Sequence, residues 1–307
     1  MCGLALPYST PEPIPIHPPP VDVLDPHNPD SPMTRKTIGF VGGGNMARSL
    51  IGGLLAAGTR SDVLIASDPD EDIRMSLASD FGIQTTADNA DIVTESDVLI
   101  LAVKPQVVEE ALTPLSSLFA THRPLVISIA AGIPITSIEK WAKTKLAVIR
   151  VMPNTPALIG AGAAGLFANG LASPEQRATA ESIIQSVGTS IWVNDEGLID
   201  TVTAVSGSGP AYFFYLMDAM IEAATEGGLD SEAARTLVLE TALGASRLAL
   251  SSDESPAELR KRVTSPGGTT EAAVKTLTED HCSESIIRAV HAARLRSIEL
   301  AQSLGEQ

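Results

Sequence analysis

The chain has little cysteine, little positive charge and no long apolar run, and each shortage argues against a class of protein. Its two cysteines, Cys2 and Cys282, lack the spacing of metal or redox sites, which favours a reduced, cytoplasmic setting. Its 21 basic residues face 37 acidic ones, and the net charge of −16 argues against nucleic acid or an anionic membrane surface as the main partner. No apolar run reaches the roughly 18 residues that a membrane-spanning helix needs, so we expect no membrane partner.

The first 36 residues form a proline-rich segment that differs in composition from the rest of the chain. They carry few large apolar side chains and bury too little surface to offset the entropy of ordering, so we interpret residues 1–36 as a disordered or extended extension. The segment lacks the basic start and apolar stretch of a secretory signal, and it is acidic, unlike a mitochondrial transit peptide. Met33, near its end, is an alternative candidate for the start of the chain.

From Thr37 the sequence alternates between strand and helix patterns, which predicts an α/β fold with a Rossmann-type doubly wound parallel sheet in residues 37–197. The stretch Val98–Val103 is continuously apolar, as parallel strands covered on both faces are. Helices are expected to begin near Asn45, Asp70, Asp88, Pro105 and Pro134. The predicted strands are 37–42, 62–67, 82–86, 97–103, 124–130, 145–151, 162–168 and 188–193.

Near residue 198 the alternation stops, and residues 198–307 are predicted to form an all-α dimerisation domain. The predicted helices are 198–206, 210–227, 231–251, 256–263, 270–279 and 283–304. Leucines such as Leu237, Leu243, Leu248 and Leu250 form long apolar stripes, which exceed what a small helical half hides by itself. We therefore expect this domain to bury the surplus against a second copy, in a homodimer or a higher assembly of dimers.

A glycine-rich stretch between the first strand and the first helix is the strongest functional signal. The spacing Gly42-x-Gly44-x-x-Ala47 is typical of dinucleotide binding: Gly42 makes the tight turn, Gly44 lets the backbone approach a pyrophosphate, and Ala47 permits close helix packing. The N–H groups at the helix start favour an anion. An ordinary turn without a ligand needs one glycine rather than three in a row. The predicted cofactor contacts here are Gly42, Gly43, Gly44, Asn45, Met46 and Ala47.

The end of the second strand, Ser67-Asp68-Pro69, should distinguish NAD from NADP. An acidic residue there accepts hydrogen bonds from the ribose 2′-hydroxyl of NAD, whereas hydroxyl or basic residues suit the 2′-phosphate of NADP. This sequence offers both Ser67 and Asp68. Asp68 either faces the ribose, where it would repel a phosphate, or caps the following helix, and the sequence alone supports both interpretations equally.

Further candidates follow the other parallel strands, where ligands bind in the crevice outside the carboxyl ends. Lys104 is suited to an anionic cofactor or substrate, although a lone lysine at a helix start is equally often solvated. Two prolines fix the loop that carries Asn154, which we place near the nicotinamide. The predicted cofactor contacts in these loops are Ala102, Val103, Lys104, Pro105, Ala130, Ala131, Gly132 and Asn154.

The helical half contains two loops rich in small and hydroxyl residues, 205–211 and 263–271, each opening a helix. In the second, Gly267 and Gly268 expose backbone, and the N–H groups of Thr269 and Thr270 lie at a helix start, so the loop is suited to a carboxylate. The alternative is a helix connection with ordinary N-caps, which Ser and Thr also favour. A plain connection seldom needs Ser265, two glycines and two threonines together.

Histidine is missing from all of these loops, and neither a Ser/His/Asp or Cys/His arrangement nor metal-ligand spacing is present. No metal is therefore expected. We expect the chemistry to use the hydride of a cofactor, with a hydroxyl or water handling the proton.

Together these loops resemble those of the pyrroline-5-carboxylate reductases, the family that catalyses the last step of proline biosynthesis. The resemblance extends from about residue 37 to residue 304 and excludes the proline-rich segment. The motifs that carry it are Gly39-Phe-Val-Gly-Gly-Gly-Asn-Met-Ala47, Ala102-Val-Lys-Pro105, Ser128-Ile-Ala-Ala-Gly132, Met152-Pro-Asn-Thr-Pro156, Ser206-Gly-Ser-Gly-Pro-Ala-Tyr212 and Ser265-Pro-Gly-Gly-Thr-Thr270.

The resemblance implies a Rossmann domain, a helical dimerisation domain and an active site between them that the partner subunit completes. It implies reduction of the cyclic imine L-1-pyrroline-5-carboxylate to L-proline with NADPH. Thr270 matches the hydroxyl near the ring nitrogen, the expected catalytic residue, and Asn89 matches a cofactor contact. Asp68 stands where the family often has a hydroxyl residue that binds the 2′-phosphate of NADPH. NADH is therefore an alternative cofactor, and Ser67 is a candidate to supply the hydroxyl instead. The implied substrate contacts are Ser265, Gly267, Gly268, Thr269 and Thr270.

Two other classes of protein share part of this pattern. The β-hydroxyacid dehydrogenases have the same two-domain plan but rely on a catalytic lysine in the first helix of the second domain, and 210–227 contains no lysine. A non-catalytic protein that senses NADP would keep the loop Gly42–Ala47 but would have no need of the loop Ser265–Thr270.

Overall fold

The computed structural model describes residues 36–305, which form two compact units that divide between Ile199 and Asp200. The division lies two residues beyond the boundary predicted from the sequence. Apart from Lys36, the proposed extension 1–36 lies outside the described residues. None of the helices in the described part of the chain is long and apolar enough to cross a membrane.

The first unit is built on an eight-stranded sheet, whose strands are β1 Ile38–Val41, β2 Leu64–Ser67, β3 Gln84–Thr86, β4 Val98–Leu101, β5 Leu125–Ser128, β6 Val148–Met152, β7 Gly162–Ala168 and β8 Gly188–Trp192. Their order in the sheet is β3-β2-β1-β4-β5-β6-β7-β8. Strands β1 to β6 run parallel, and β1 pairs in register with both neighbours, Ile38 opposite Leu64 and Val98.

Strand β7 runs antiparallel to β6, and β8 runs parallel to β7. The doubly wound sheet is therefore mixed: its last two strands run against the first six. Their carboxyl ends lie at the opposite edge of the sheet, so the loops that follow β1 to β6 form one functional edge without them.

Among the described residues of the first unit, seven α-helices cover the sheet, and prolines interrupt the chain between some of them. The prediction of a single helix from Pro105 is wrong. The segment instead contains a 3₁₀ turn at Pro105–Val107, a short α-helix, a second 3₁₀ turn at Thr113–Leu115 and a second α-helix. Pro114 lacks the N–H that a continuous helix requires. The helices are α1 Asn45–Ala56, α2 Glu71–Phe81, α3 Asn89–Glu95, α4 Val108–Leu112, α5 Ser116–His122, α6 Ile135–Ala142 and α7 Pro174–Gln185.

The core of the first unit lies on both faces of the sheet. Every residue of β1, β2, β4 and β5 is buried, as the continuously apolar sequence predicts for strands covered twice. Helix α1 contributes Leu50, Ile51 and Leu54 to this core. Burial of a large aliphatic or aromatic side chain contributes about 1.5–3 kcal/mol relative to exposure, so this packing fixes where the loops begin.

The second unit is helical in its described residues. After α8 (Leu198–Val202) a π-helical turn, Thr203–Gly207, leads into α9 (Gly209–Glu226), whereas the sequence predicted one helix and then a loop. The Ser208 N–H donates to Thr203 O over 2.8 Å, the i→i+5 bond of a π-turn. The remaining helices are α9 Gly209–Glu226, α10 Ser231–Leu250, α11 Pro256–Arg262, α12 Thr269–Glu279 and α13 Cys282–Gly305.

Few apolar side chains of the second unit are buried in the single chain, among them Ala204, Ala234 and Val238. In contrast, α9 presents consecutive large apolar residues to solvent. Phe213, Phe214, Tyr215 and Leu216 are 59, 61, 82 and 55% exposed.

Candidate active site

The glycine-rich turn joins the ends of three strands. Gly42 has a φ of +100°, and a Cβ there would lie 2.8 Å from Ala102 O, so both conformation and space require glycine. The Gly42 N–H donates to Ser67 O at the end of β2, and the Ala102 N–H donates to Val41 O, each over 2.8 Å. Backbone hydrogen bonds to the ends of the neighbouring strands β2 and β4 therefore hold the turn in place.

Helix α1 begins with unpaired donors. Its N-cap, Gly44, provides no side-chain acceptor, and the first helical bond runs from Arg48 N–H to Gly44 O at 3.0 Å. The N–H groups of Asn45, Met46 and Ala47 precede that bond and have no intrahelical partner. A Cβ at Gly44 would meet nothing within 4 Å, so the space before the helix is open to a phosphate group.

Asp68 binds the glycine-rich loop. Its Oδ2 accepts the Gly43 N–H at 2.9 Å, and its Oδ1 accepts the Asp70 N–H at 3.0 Å. The interpretation of Asp68 as the cap of the following helix is wrong, because Asp70 is the N-cap of α2. The carboxylate lies at the turn where a dinucleotide ribose is expected.

Ser67 is directed into the sheet. Its side chain is 1% exposed, and its hydroxyl donates to Asn89 Oδ1 at 2.6 Å and contacts Phe40 O at 3.3 Å. The structure thus brings together Ser67 and Asn89, two predicted cofactor contacts. In this arrangement Ser67 positions Asn89.

The sequence analysis did not identify Arg74 as a candidate cofactor contact. It lies on the first turns of α2, and its Nη1 donates to Asp68 O at 2.8 Å and Pro69 O at 2.9 Å. The guanidinium group is therefore held at the carboxyl end of β2. The signal that would have found it is a basic residue in the first turn of the helix that follows β2, near the place where an arginine accommodates a 2′-phosphate.

The other predicted contacts follow β4, β5 and β6 at the same edge of the sheet. Lys104 is exposed and precedes the 3₁₀ turn at Pro105, and Ala102 and Val103 are partly buried beside it. Ala130 and Gly132 are buried, whereas Ala131 is exposed. Asn154 Oδ1 accepts the Ala163 N–H at 2.9 Å, so this amide side chain helps to hold the start of β7.

A buried arginine was also missed. Arg150, in β6, is 4% exposed, and its Nη1 lies 3.3 Å from Glu196 Oε1. The same oxygen accepts the Ile135 N–H at 2.8 Å. A buried charge needs such a partner. Arg150 therefore ties the middle of β6 to Glu196, in the segment that precedes α8, and Glu196 in turn binds the start of α6.

The loop before α12 is a type II β-turn. Pro266 occupies the second position, Gly267 has a φ of +71° at the third, and the Gly268 N–H donates to Ser265 O at 3.0 Å. The first helical bond of α12 runs from Ala272 N–H to Gly268 O, so the N–H groups of Thr269, Thr270 and Glu271 have no intrahelical partner. The N–H groups of Thr269 and Thr270 thus lie at a helix start, as the sequence predicts, and with that of Glu271 they are suited to an anion.

The prediction that the small-residue stretch 205–211 forms a loop is wrong. Its residues form the π-turn and the start of α9. The Ser206 hydroxyl donates to Val202 O, and the Tyr212 hydroxyl donates to Ala204 O, each over 3.0 Å. The π-turn, which often marks a functional site, replaces the predicted connection.

Comparisons with known proteins follow this division of the chain. Residues 196–300 match the family model "Pyrroline-5-carboxylate reductase dimerisation", and residues 37–132 match "NADP oxidoreductase coenzyme F420-dependent". The pyrroline-5-carboxylate reductase of Pseudomonas aeruginosa is 48% identical over 274 residues, which cover 89% of this chain and 100% of that protein. The chain belongs to the pyrroline-5-carboxylate reductase family.

Solved structures agree with this assignment. A pyrroline-5-carboxylate reductase from Coxiella burnetii is 42% identical with a TM-score of 0.83, covering 86% of this chain and 98% of that one. The Plasmodium falciparum enzyme, crystallised with NADP bound, is 27% identical with a TM-score of 0.78, covering 88% and 99%. The resemblance seen in the sequence, the fold class and the identification as an NAD(P)-dependent oxidoreductase that forms proline are thereby confirmed.

Proposed function

We propose that this enzyme reduces L-1-pyrroline-5-carboxylate with NADPH in preference to NADH. The observation that carries the assignment of the substrate site is the type II turn with its unpaired N–H groups at Thr269, Thr270 and Glu271. Three converging donors at a helix start favour a carboxylate without a lysine or arginine. They are suited to an anionic substrate in a chain whose net charge is −16.

The dinucleotide is assigned to the first unit. The open space before Gly44 and the unpaired N–H groups of Asn45, Met46 and Ala47 fit a pyrophosphate. Arg74 supports the preference for NADPH, because its guanidinium lies where a 2′-phosphate is accommodated. The negative charge of Asp68 disfavours a 2′-phosphate and so opposes this preference, although both of its carboxylate oxygens already accept backbone N–H groups. We therefore expect NADH to be used less efficiently rather than rejected.

A bound NAD(P)H would supply the hydride that the C=N carbon accepts, and the ring nitrogen, already protonated in the imine, would end as a secondary amine. The chain's own task is to hold that carbon within about 3–3.5 Å of the donor. We assign this to the N–H groups of the Ser265–Thr270 loop, which hold the substrate carboxylate. The Thr270 hydroxyl, which is partly buried, accepts a hydrogen bond from the protonated imine N–H and favours the electrophilic form.

The assembly proposed is a homodimer in the cytoplasm, built through the second unit. The large exposed side chains of α9 form an apolar surface of the kind that subunits bury. A match to a dimerisation family over residues 196–300 supports the same conclusion. Higher assemblies of dimers are compatible with it.

The test is direct: purified protein is mixed with L-1-pyrroline-5-carboxylate, and oxidation of NADPH and NADH is followed separately by absorbance. We expect turnover with both cofactors and a higher kcat/KM with NADPH. The absence of turnover with either would refute the enzymatic assignment, and a preference for NADH would refute the role of Arg74. Light scattering of the same sample measures the assembly.

A further inference from the structure

The carboxylate of Glu271 reaches back onto the loop that precedes its own helix. Glu271 is the third residue of α12, and its Oε2 accepts the backbone N–H of Gly267 at 2.7 Å. The N-cap residue, Gly268, has no side chain and makes no capping bond. Glu271 therefore reaches back from the third helical position, as Gln176 and Glu258 do in the capping boxes of α7 and α11, but it binds the N–H of the residue before the N-cap.

This bond fixes the part of the loop that is otherwise the least restrained. Gly267 is exposed and has a positive φ, and glycine moves easily among several backbone conformations. With its N–H held by Glu271 and the Gly268 N–H held by Ser265 O, the two glycine amides are both committed within the turn. The remaining donors, at Thr269, Thr270 and Glu271, stay free for a ligand.

Two effects of the carboxylate oppose each other. The hydrogen bond is charge-assisted and orders the loop, which favours binding of an anion. The negative charge itself lies close to the same donors and disfavours an anion. Because the side chain is exposed, water and salt screen the repulsion strongly, so the ordering effect is the larger one.

We propose that Glu271 is a positioning residue that holds the Ser265–Thr270 loop in its carboxylate-binding conformation through the Gly267 N–H. This inference rests on the proposed assignment of that loop to the substrate carboxylate. The carboxylate is bound alike before and during hydride transfer, so loss of the restraint weakens binding uniformly. It raises the KM for the imine substrate and leaves kcat and the KM for NADPH nearly unchanged.

The experiment separates the hydrogen bond from the charge. Glu271→Gln keeps an acceptor oxygen at the same length without the charge, and Glu271→Ala removes both. We expect Glu271→Ala to raise the substrate KM by about tenfold with kcat within about twofold of the wild type, and Glu271→Gln to restore KM to within about twofold. Glu279→Ala, at the other end of α12 and 67% exposed beside Lys275, is the matched control and should change neither constant.

An unchanged KM in Glu271→Ala overturns the proposal, and so does a Glu271→Gln variant that behaves like Glu271→Ala. Thermal unfolding of each variant shows whether the fold is kept. Calorimetric titration with L-proline provides a second measurement, which is independent of turnover. A tenfold weaker binding in Glu271→Ala supports the positioning role even where the wild type fails to reduce the imine, whereas equal binding, or no binding by the wild type, overturns it.

Discussion

The carboxylate of Asp68 accepts the backbone N–H of Gly43 across 2.9 Å, joining two residues that lie 25 positions apart in the chain. The end of β2 is thereby bound to the middle of the glycine-rich turn. Asp68 also accepts the Asp70 N–H, so one side chain orders both the turn and the approach to α2. The glycine-rich loop is consequently held in shape by an acidic group that lies at the turn where we propose that the ribose binds.

Replacing the charge of Asp68 should shift the cofactor preference. Asp68→Asn keeps one acceptor oxygen for the Gly43 N–H, gives up the bond from the Asp70 N–H, and removes a negative charge from the expected neighbourhood of the 2′-phosphate. One charge repulsion at about 4 Å in water is worth about 1 kcal/mol, or about fivefold. We expect the ratio of kcat/KM for NADPH to that for NADH to rise by about this factor. An unchanged ratio would show that the carboxylate does not act on the phosphate.

Removing Arg74 should have the opposite effect. Arg74→Ala eliminates the guanidinium at the end of β2, and we expect kcat/KM for NADPH to fall by about tenfold while that for NADH changes by less than about twofold. Fluorescence titration of each reduced cofactor measures the same difference without substrate. Arg177→Ala is the control, since Arg177 stacks on Trp192 elsewhere in the first unit. A parallel loss with both cofactors would contradict the phosphate role.

Thr270 is expected to act on the imine and not on the dinucleotide. Thr270→Ala removes the hydroxyl acceptor and should lower kcat/KM for the substrate by about ten- to a hundredfold, with NADPH affinity retained. Thr270→Ser should recover most of the activity. Thr276→Ala is the control on the same helix, because the Thr276 hydroxyl donates only to Ala272 O in the helix backbone. Equal loss of NADPH binding in Thr270→Ala would argue against this role.

The pair Arg48–Asp80 predicts a small dependence of stability on pH. The hydrogen bond from Arg48, and then that from Ser76, hold the pKa of Asp80 below its usual range. A lowered pKa in the folded state means that the contribution is complete above the ordinary pKa of aspartate and is lost as the pH falls through the lowered value. NMR titration of Asp80 should show this low midpoint, and Arg48→Met should raise it. An unaltered midpoint in that variant would contradict the assignment of its cause.

Much of the first unit could be predicted because its signals are local. The apolar runs of β1 and β4 match strands buried on both faces, and the spacing of Gly42, Gly44 and Ala47 describes a single turn. The direction of β7 could not be predicted, because a strand shows the same pattern of buried residues whichever way it runs. Proline rules predicted a helix start at Pro105 but not the breaks that follow it.

Contacts between side chains and distant backbone account for what was missed at the site. The sequence does not indicate that Asp68 binds Gly43 or that Arg74 binds the end of β2, because each contact depends on how the strand end and the helix are oriented. The bond from Gly267 to Glu271 depends on the type II turn between them. Family motifs identified the loop but not this residue within it.

The uncapped start of α1 has a consequence for the rate at which this enzyme binds its cofactor. Backbone N–H groups attract an anion only at short range, whereas the net charge of −16 acts over the whole surface. A dinucleotide therefore approaches against a repelling field until it is nearly in place. Added electrolyte shortens the reach of that field to about 10 Å at 0.1 M, so the association rate constant for the cofactor should increase with ionic strength, the reverse of electrostatic steering.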